Sequence, residues 1–262
     1  MQLLNIVMSD EPQQLPITGL ITGSVPAAAI VCGDPDRATR IAERLEDATL
    51  LSERREYRAY RGTYGGLPVA VCSHGVGAPG AAIAFEELIA AGARRIVRVG
   101  TCGGLQPDIV SGDLVVATAA VDKTGYGRTT VPDGYPAVAG VRLTYALLET
   151  AASQEQTVSE GIVLSLDNFY QGVETPHLTP YPVLSAAGVV AVEMECAALF
   201  IVGSLRGAQT AAILAVDGNV LGQRETMESY DPHREVVSRA VEAATGIALA
   251  ALRQNAPGGE RP

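Results

Sequence analysis

The sequence predicts an α/β protein: one domain, with a largely parallel sheet flanked by helices. Short apolar, β-branched runs alternate with amphipathic stretches of helical length, the pattern of strands joined by crossover helices. Hydrophobic residues make up 47% of the chain and charged residues 18%, a balance that can bury a core and that disordered chains lack. The 262 residues contain no repeat or low-complexity tract, so one large core is expected over residues 1–262. A Pro-, Gly- and charge-rich tail at about 255–262 should fray.

The first strand is Ala27 to Cys32, ending in Gly33-Asp34-Pro35. Asp34 can cap a helix and Pro35 can take its first position, so a strand, a tight turn and a helix start follow one another here. Tyr57 to Ser73 reads as a hairpin about a Gly65-Gly66 turn, followed by a helix from Ala81 to Ala91. Then come a strand from Ile96 to Val99, a glycine-rich turn over Gly100-Thr101-Cys102-Gly103-Gly104, and a strand from Leu114 to Ala119. Lys123 to Ala139 is polar and rich in Gly and Pro, which predicts a long surface loop. Beyond it the pattern predicts a helix at Leu143–Ala152, a strand at Ile162–Leu166, and a helix starting at Glu193 to Glu195. A strand at Ala211–Val216 and a closing helix from about Asp231 to Leu252 complete it.

The formal net charge is −10 and no run of Lys or Arg occurs, so the footprint of a nucleic-acid binder is missing. An anionic substrate would need a few arginines focused in one pocket. Cys32, Cys72, Cys102 and Cys196 form no C-x-x-C pair and have no histidine at zinc-finger spacing, which predicts buried, reduced thiols, no metal and a cytoplasmic protein. The N-terminal run lacks a basic region ahead of it, and no apolar stretch approaches the roughly 20 residues that span a bilayer.

Five segments could carry chemistry. Gly75-Val76-Gly77-Ala78-Pro79-Gly80 fits the dinucleotide fingerprint G-x-G-x-x-G. The acidic residue that should end the next strand is missing from Arg95-Ile96-Val97-Arg98-Val99-Gly100, so close packing of helix on sheet is the better account. Gly33-Asp34-Pro35-Asp36-Arg37 offers a glycine turn, a helix N-terminus with open N–H groups and an arginine one turn in; it suits a phosphate, or is an ordinary turn with a solvent-facing arginine. In Arg98-Val99-Gly100-Thr101-Cys102-Gly103-Gly104 an arginine interrupts an apolar strand. A buried arginine needs an anion, and Arg98 and Thr101 stand where ligands bind such sheets, so function is favoured over a structural ion pair. Glu193-Met194-Glu195 places two acids at the head of an apolar helix, either as first-turn charges or as acceptors for the two hydroxyls of a ribose. Asp217, after Ala215-Val216, is a general acid if burial raises its pKa, or else a turn cap.

Taken in order, GDPDR, RREY, RVGTCGG, FYQG, VEMECAA and AVDG resemble the uridine phosphorylase and hexameric purine nucleoside phosphorylase family, from about Pro26 to Leu252. The resemblance implies a mixed, mostly parallel sheet curled toward a barrel and a homohexamer, a trimer of dimers whose neighbours complete each site. It implies phosphorolysis of a (deoxy)ribonucleoside to free base and (deoxy)ribose 1-phosphate, with nucleoside and inorganic phosphate as substrates and no cofactor. Phosphate would be held by Gly33, Arg37, Arg98 and Thr101, with Arg55 reaching in from a partner chain. Thr101, Cys102 and Gly103 would line the nucleoside site, Met194 and Glu195 would contact the ribose with Glu193 nearby, and Phe169 would pack on the base. Asp217 resembles the acid that protonates purine N7 in the purine branch, where a downstream arginine assists the acid; Arg224 is the candidate for it here.

The chain departs from the pattern in two places. Val173 and Thr175 stand where uridine phosphorylases carry a Gln and an Arg that read uracil, which favours a purine. Gln13-Gln14-Leu15-Pro16-Ile17 lacks the histidine that a neighbour gives to the ribose 5′-hydroxyl, which makes a 5′-modified substrate such as methylthioadenosine thinkable. The alternatives are uridine phosphorolysis, hydrolysis as in the related nucleosidases, and nucleoside binding without catalysis. The arginine set speaks against hydrolysis, and the intact Asp217, Glu195 and Arg98 speak against mere binding.

Overall fold

The computed structural model describes residues 11–170, 172–173, 175, 179–221, 231 and 234–256. In chain order the elements are β1 (Ala28–Cys32), α1 (Pro35–Ala42), β2 (Glu46–Arg54), β3 (Tyr57–Tyr64), β4 (Leu67–Ser73), α2 (Ala78–Ala91), β5 (Arg95–Gly104) and β6 (Leu114–Lys123). There follow α3 (Gly125–Thr130), β7 (Ala137–Val138), α4 (Val141–Ser153), β8 (Val158–Leu166), α5 (Tyr181–Ala186), β9 (Val189–Glu193), α6 (Cys196–Arg206), β10 (Gln209–Asn219) and α7 (Glu235–Gln254).

All the strands belong to one sheet, in the order β10-β6-β8-β9-β5-β1-β4-β3-β2, with β7 on β6. Because β10 also pairs with β5, the strands β5, β10, β6, β8 and β9 close into a five-strand barrel, and β1, β4, β3 and β2 extend from it as a wing. This is the barrel-like sheet that the resemblance implies. Parallel pairings join β1 to β4 and β5, β5 to β10, and β8 to β6 and β9; antiparallel ones join β2, β3 and β4 in series, β6 to β10 and β7, and β5 to β9. The sheet is therefore mixed, with less parallel dominance than the alternating pattern predicts.

Apolar layers cover both faces. One cluster joins Val31, Cys72, Ile96 and Val115 to Phe85 and Leu88 of α2 and Leu199 to Val202 of α6; the other joins Ile30, Val71, Val97 and Ile213 to Leu147 of α4 and Ile247 to Leu252 of α7. Strands buried on both sides read as continuous apolar runs, and that is why β1, β4 and the first half of β5 are legible.

Three local expectations need correction, and one strand went unanticipated. The segment Gly100–Gly104 is not a turn but the second half of β5, hydrogen-bonded between β10 and β9. Its glycines serve close approach: a Cβ on Gly103 would stand 2.8 Å from Val220 and one on Gly104 2.9 Å from Ile109. Glu193 ends β9 rather than starting a helix, and α6 begins at Cys196. The Lys123–Ala139 segment carries α3 and β7. β2, a mostly exposed edge strand, has no apolar alternation to betray it.

The four cysteines are buried and free, as their spacing predicts, and burial pushes the Cys32 thiol up to about 12. No helix among the described residues is long and apolar enough to cross a membrane. In the tail, Asn255 caps α7 and Ala256 is buried against the core; residues 257–262 lie outside the described residues.

Candidate active site

The parallel pairing of β1 with β4 and β5 brings the ends of these three strands together. Register pairs Val31 with both Cys72 and Arg98, and the His74 N–H donates to the Cys32 carbonyl at 2.8 Å. Gly33, His74 and Arg98 therefore converge at one edge of the sheet. On the barrel side, β5 continues between β10 and β9, so Thr101, Cys102 and Gly103 lie between Asp217 and Glu193.

Arg98 is 4% exposed and fully engaged. Its Nε and Nη2 donate to Glu193 Oε2 at 3.4 and 3.3 Å, Nη2 donates to Glu195 Oε2 at 2.5 Å, and Nη1 lies 3.3 Å from His74 Nε2. The guanidinium lies flat over Gly100, where a Cβ would come within 2.7 Å of Cζ and Nη1. Both acids raise the pKa of Arg98, whose charge is permanent. The strand arginine is thus in a buried ion pair and also at the strand ends where ligands bind.

Each carboxylate is anchored beyond Arg98. Glu193 Oε2 accepts the Glu195 and Cys196 N–H groups at 2.8 and 2.9 Å, and its Oε1 accepts the Ser165 hydroxyl at 2.5 Å. Ser165 in turn accepts the Ala197 N–H at 2.9 Å. Glu195 Oε1 accepts the Gly77 N–H at 2.6 Å, so the glycine fingerprint after β4 serves as a carboxylate anchor at the start of α2. Burial raises the Glu195 carboxyl above the ordinary value, against the pull of Arg98.

Arg37, on α1, stands at the same edge. Its Nη1 donates to the Val99 carbonyl at 3.4 Å, and its buried Nε has no hydrogen-bond partner. Burial lowers its pKa, and the Arg98 charge lowers it further. The N-terminus of α1 is not open to an anion as the sequence suggests, because Asp34 accepts the Asp36 and Arg37 N–H groups at 2.9 and 3.2 Å. The arginine side chain remains to meet an anion.

Asp217 is 8% exposed. Val216 pairs with Cys102 and Gly218 with Gly103, so Asp217 is the extra residue of a bulge in β10, the device that re-aims a side chain beside a site. Arg234 Nη2 holds its carbonyl at 2.6 Å. Met194 is half-buried between the two glutamates, and Thr101 and Gly103 are half-buried on β5.

Two predicted residues stand apart from this cluster. Arg55 is exposed in the turn between β2 and β3 with φ 53°, and Phe169 is 62% exposed with its ring 5.2 Å from that of Tyr170. Val173 and Thr175 are exposed on the same segment, while Gln171 and Arg224 lie outside the described residues. His74 and Ser165 are the residues that sequence reasoning missed. Each has a legible signal, a polar side chain directly after or near the end of a buried apolar strand, where ligands of such sheets bind. Among the described residues no group of three or more His, Cys, Asp or Glu is arranged to hold a metal ion.

A buried and a half-buried arginine beside two buried carboxylates can hold an anion and a polyol side by side. Comparisons with known proteins identify the family. Residues 27–253 match the family model described as the phosphorylase superfamily. The chain is 37% identical over 235 residues to a uridine phosphorylase of Treponema pallidum, covering 86% of this chain and 91% of that protein. It is 36% identical over 231 residues to a guanosine phosphorylase of Halorubrum lacusprofundi, covering 88% and 94%. The crystal structure of a purine nucleoside phosphorylase from Toxoplasma gondii, in complex with immucillin-H, superposes with a TM-score of 0.86 at 34% identity, covering 94% of this chain and 97% of that one. The chain belongs to the phosphorylase superfamily and is a nucleoside phosphorylase, a pentosyltransferase.

Proposed function

We propose that this enzyme catalyses the reversible phosphorolysis of purine nucleosides, releasing free base and (deoxy)ribose 1-phosphate, with inorganic phosphate as its only co-substrate. Arg37, Arg98, Thr101 and the Gly33 amide hold the phosphate, and Arg55, exposed on its turn, serves the site of a neighbour in a homohexamer. The orphaned, buried Arg37 Nε beside Arg98 supports an anion at this edge. Glu195 accepts the ribose hydroxyls, with Met194 against the sugar and Glu193 behind. Thr101, Cys102 and Gly103 line the nucleoside, and Phe169 packs on the base.

Cleavage passes through an oxocarbenium-like sugar. A phosphate oxygen bonds to the anomeric carbon as the C–N bond breaks, and the phosphate charge stabilises the developing cation. The bonding pair leaves with the base, which takes a proton at N7 from Asp217. Relatives of near-equal identity carry a uridine and a guanosine name, so the base is decided by the site. The observation that carries the purine reading is Asp217, buried on its bulge beside Cys102 and Gly103, with Val173 and Thr175 in place of the Gln and Arg that read uracil. The relatives named uridine phosphorylase favour the second reading, uridine phosphorolysis.

The test is release of base from inosine, guanosine, adenosine, methylthioadenosine, uridine and thymidine, with and without phosphate. Preference for a purine, strict phosphate dependence and a roughly 10²–10⁴-fold loss in Asp217→Asn on 6-oxopurines are expected, the worth of a positioned proton donor. Preference for uridine moves the assignment to the second reading, and phosphate-independent release makes the enzyme a hydrolase.

A further inference from the structure

His74 is fully buried directly after β4, and nothing in the mechanism above uses it. Its ring packs edge-on to Phe85, with centroids 5.3 Å apart at 72°. Two contacts define its protons. Nδ1 lies 2.9 Å from the Gly75 carbonyl, which can only accept, so Nδ1 carries the hydrogen. Nε2 lies 3.3 Å from Arg98 Nη1, which can only donate, so Nε2 presents its lone pair. Burial and the Arg98 charge hold the imidazole well below its ordinary pKa, in agreement with this neutral tautomer.

We infer that His74 is the positioning residue of Arg98, a neutral acceptor that orients the guanidinium for phosphate without cancelling its charge. Glu193 and Glu195 take Nε and Nη2, and Gly100 lets the group lie flat on the strand. Nη1 is the remaining corner, and only there can a contact fix the plane without adding a third carboxylate to the site. A carboxylate at this corner would bring negative charge to the edge that receives an anion. An apolar side chain would leave Nη1 without an acceptor. A protonated imidazole would repel the arginine. The neutral tautomer, enforced by the Gly75 carbonyl, avoids all three. His74 also approaches Gly33, where a Cβ would stand 3.9 Å from its Cε1, so the histidine that sets Arg98 borders the glycine assigned to phosphate.

The inference rests on Arg98 being the phosphate ligand, and the experiment separates the two. His74→Leu removes the acceptor at similar volume, and His74→Gln can place its side-chain oxygen near the position of Nε2. Steady-state kinetics with phosphate and nucleoside varied independently should show the phosphate KM of His74→Leu raised roughly 10- to 100-fold, the worth of a hydrogen bond to a charged group. The nucleoside KM should stay within about threefold, and His74→Gln should recover most of the loss, a split that a purely structural role would not produce. If His74→Leu does not fold, His74→Asn, whose shorter amide does not reach Arg98, carries the same expectation. An unchanged phosphate KM in the variant without the acceptor, or equal losses on both substrates with no rescue by Gln, overturns the inference. Arg98→Ala assayed alongside is the control: if its phosphate KM is also unchanged, the anion-site assignment itself has failed.

Discussion

Removing Arg98 should unfold the site electrostatically before it is considered as chemistry. In Arg98→Met a side chain of comparable length fills the slot over Gly100, but Glu193 and Glu195 lose the buried cation between them. Breaking a buried pair on one side costs about 3–5 kcal/mol, because the remaining charge stays desolvated. For a chain of this size that corresponds to a fall in melting temperature of roughly 6–20 °C. The loss should depend on pH with a definite sign. Burial already raises the Glu195 carboxyl while Arg98 opposes it, so without Arg98 its folded pKa rises further above the unfolded value of about 4.3. A group raised in the folded state contributes stability that is complete below the unfolded pKa and is lost as pH climbs through the folded one. The deficit of the variant against the wild type should therefore be largest near pH 8 and shrink toward pH 5. The double variant Arg98→Met/Glu195→Gln should regain part of it, since the amide oxygen can still accept the Gly77 N–H. Thermal unfolding by circular dichroism across that pH range measures the effect. A deficit under about 1 kcal/mol, or one that does not change between pH 5 and 8, would refute the reasoning.

Three further outcomes follow from the same geometry. In Gly100→Ala the new methyl meets a guanidinium pinned by Glu193, Glu195 and His74; about 1–3 kcal/mol of overpacking and a raised phosphate KM are expected, and a normal phosphate KM would contradict the slot. Ser165→Ala leaves Glu193 Oε1 and the Ala197 N–H without their shared hydroxyl, so the melting temperature should drop by the equivalent of about 1–3 kcal/mol, and an unchanged melt would remove Ser165 from the network. Glu87, buried on α2, accepts the Ile17 and Thr18 N–H groups and the Thr18 hydroxyl at 3.1, 2.7 and 2.6 Å; Glu87→Gln should speed amide exchange at Thr18, and unaltered exchange there would show that the N-terminal segment is held by something else.

What could be read from the sequence followed the physics of burial. β1, β4, α2 and α7 are apolar where they meet the core, so their spacing announced them, and the Asp34-Pro35 pair announced the start of α1. β2 was silent because an exposed edge strand needs no apolar face. The glycines of β5 pointed to a turn because local propensity favours one, but pairing on both sides with β10 and β9 overrides propensity, and the absence of side chains admits Val220 and Ile109. In the site, single residues were legible and their partners were not. Arg98 stands out as a charge in an apolar strand, whereas its contacts with His74, Glu193 and Glu195 span 24, 95 and 97 positions and exist only in the folded sheet.

The surroundings of Arg98 also show why a structural ion pair does not exclude the proposed role in phosphate binding. A chain of net charge −10 can bury an arginine only beside acids, and Glu193 and Glu195 meet that need. If those acids depended on Arg98 alone, any anion that drew on its donors would leave two bare carboxylates in the core. They do not. Glu193 is held by the Glu195 and Cys196 N–H groups at the start of α6 and by Ser165, and Glu195 by the Gly77 N–H at the start of α2, so each helix start carries part of the load. With the carboxylates anchored to backbone, the guanidinium can share its donors with an incoming anion while the acids stay satisfied. Under the proposed assignment, the backbone anchors are thus what lets one buried arginine serve both the fold and a bound phosphate.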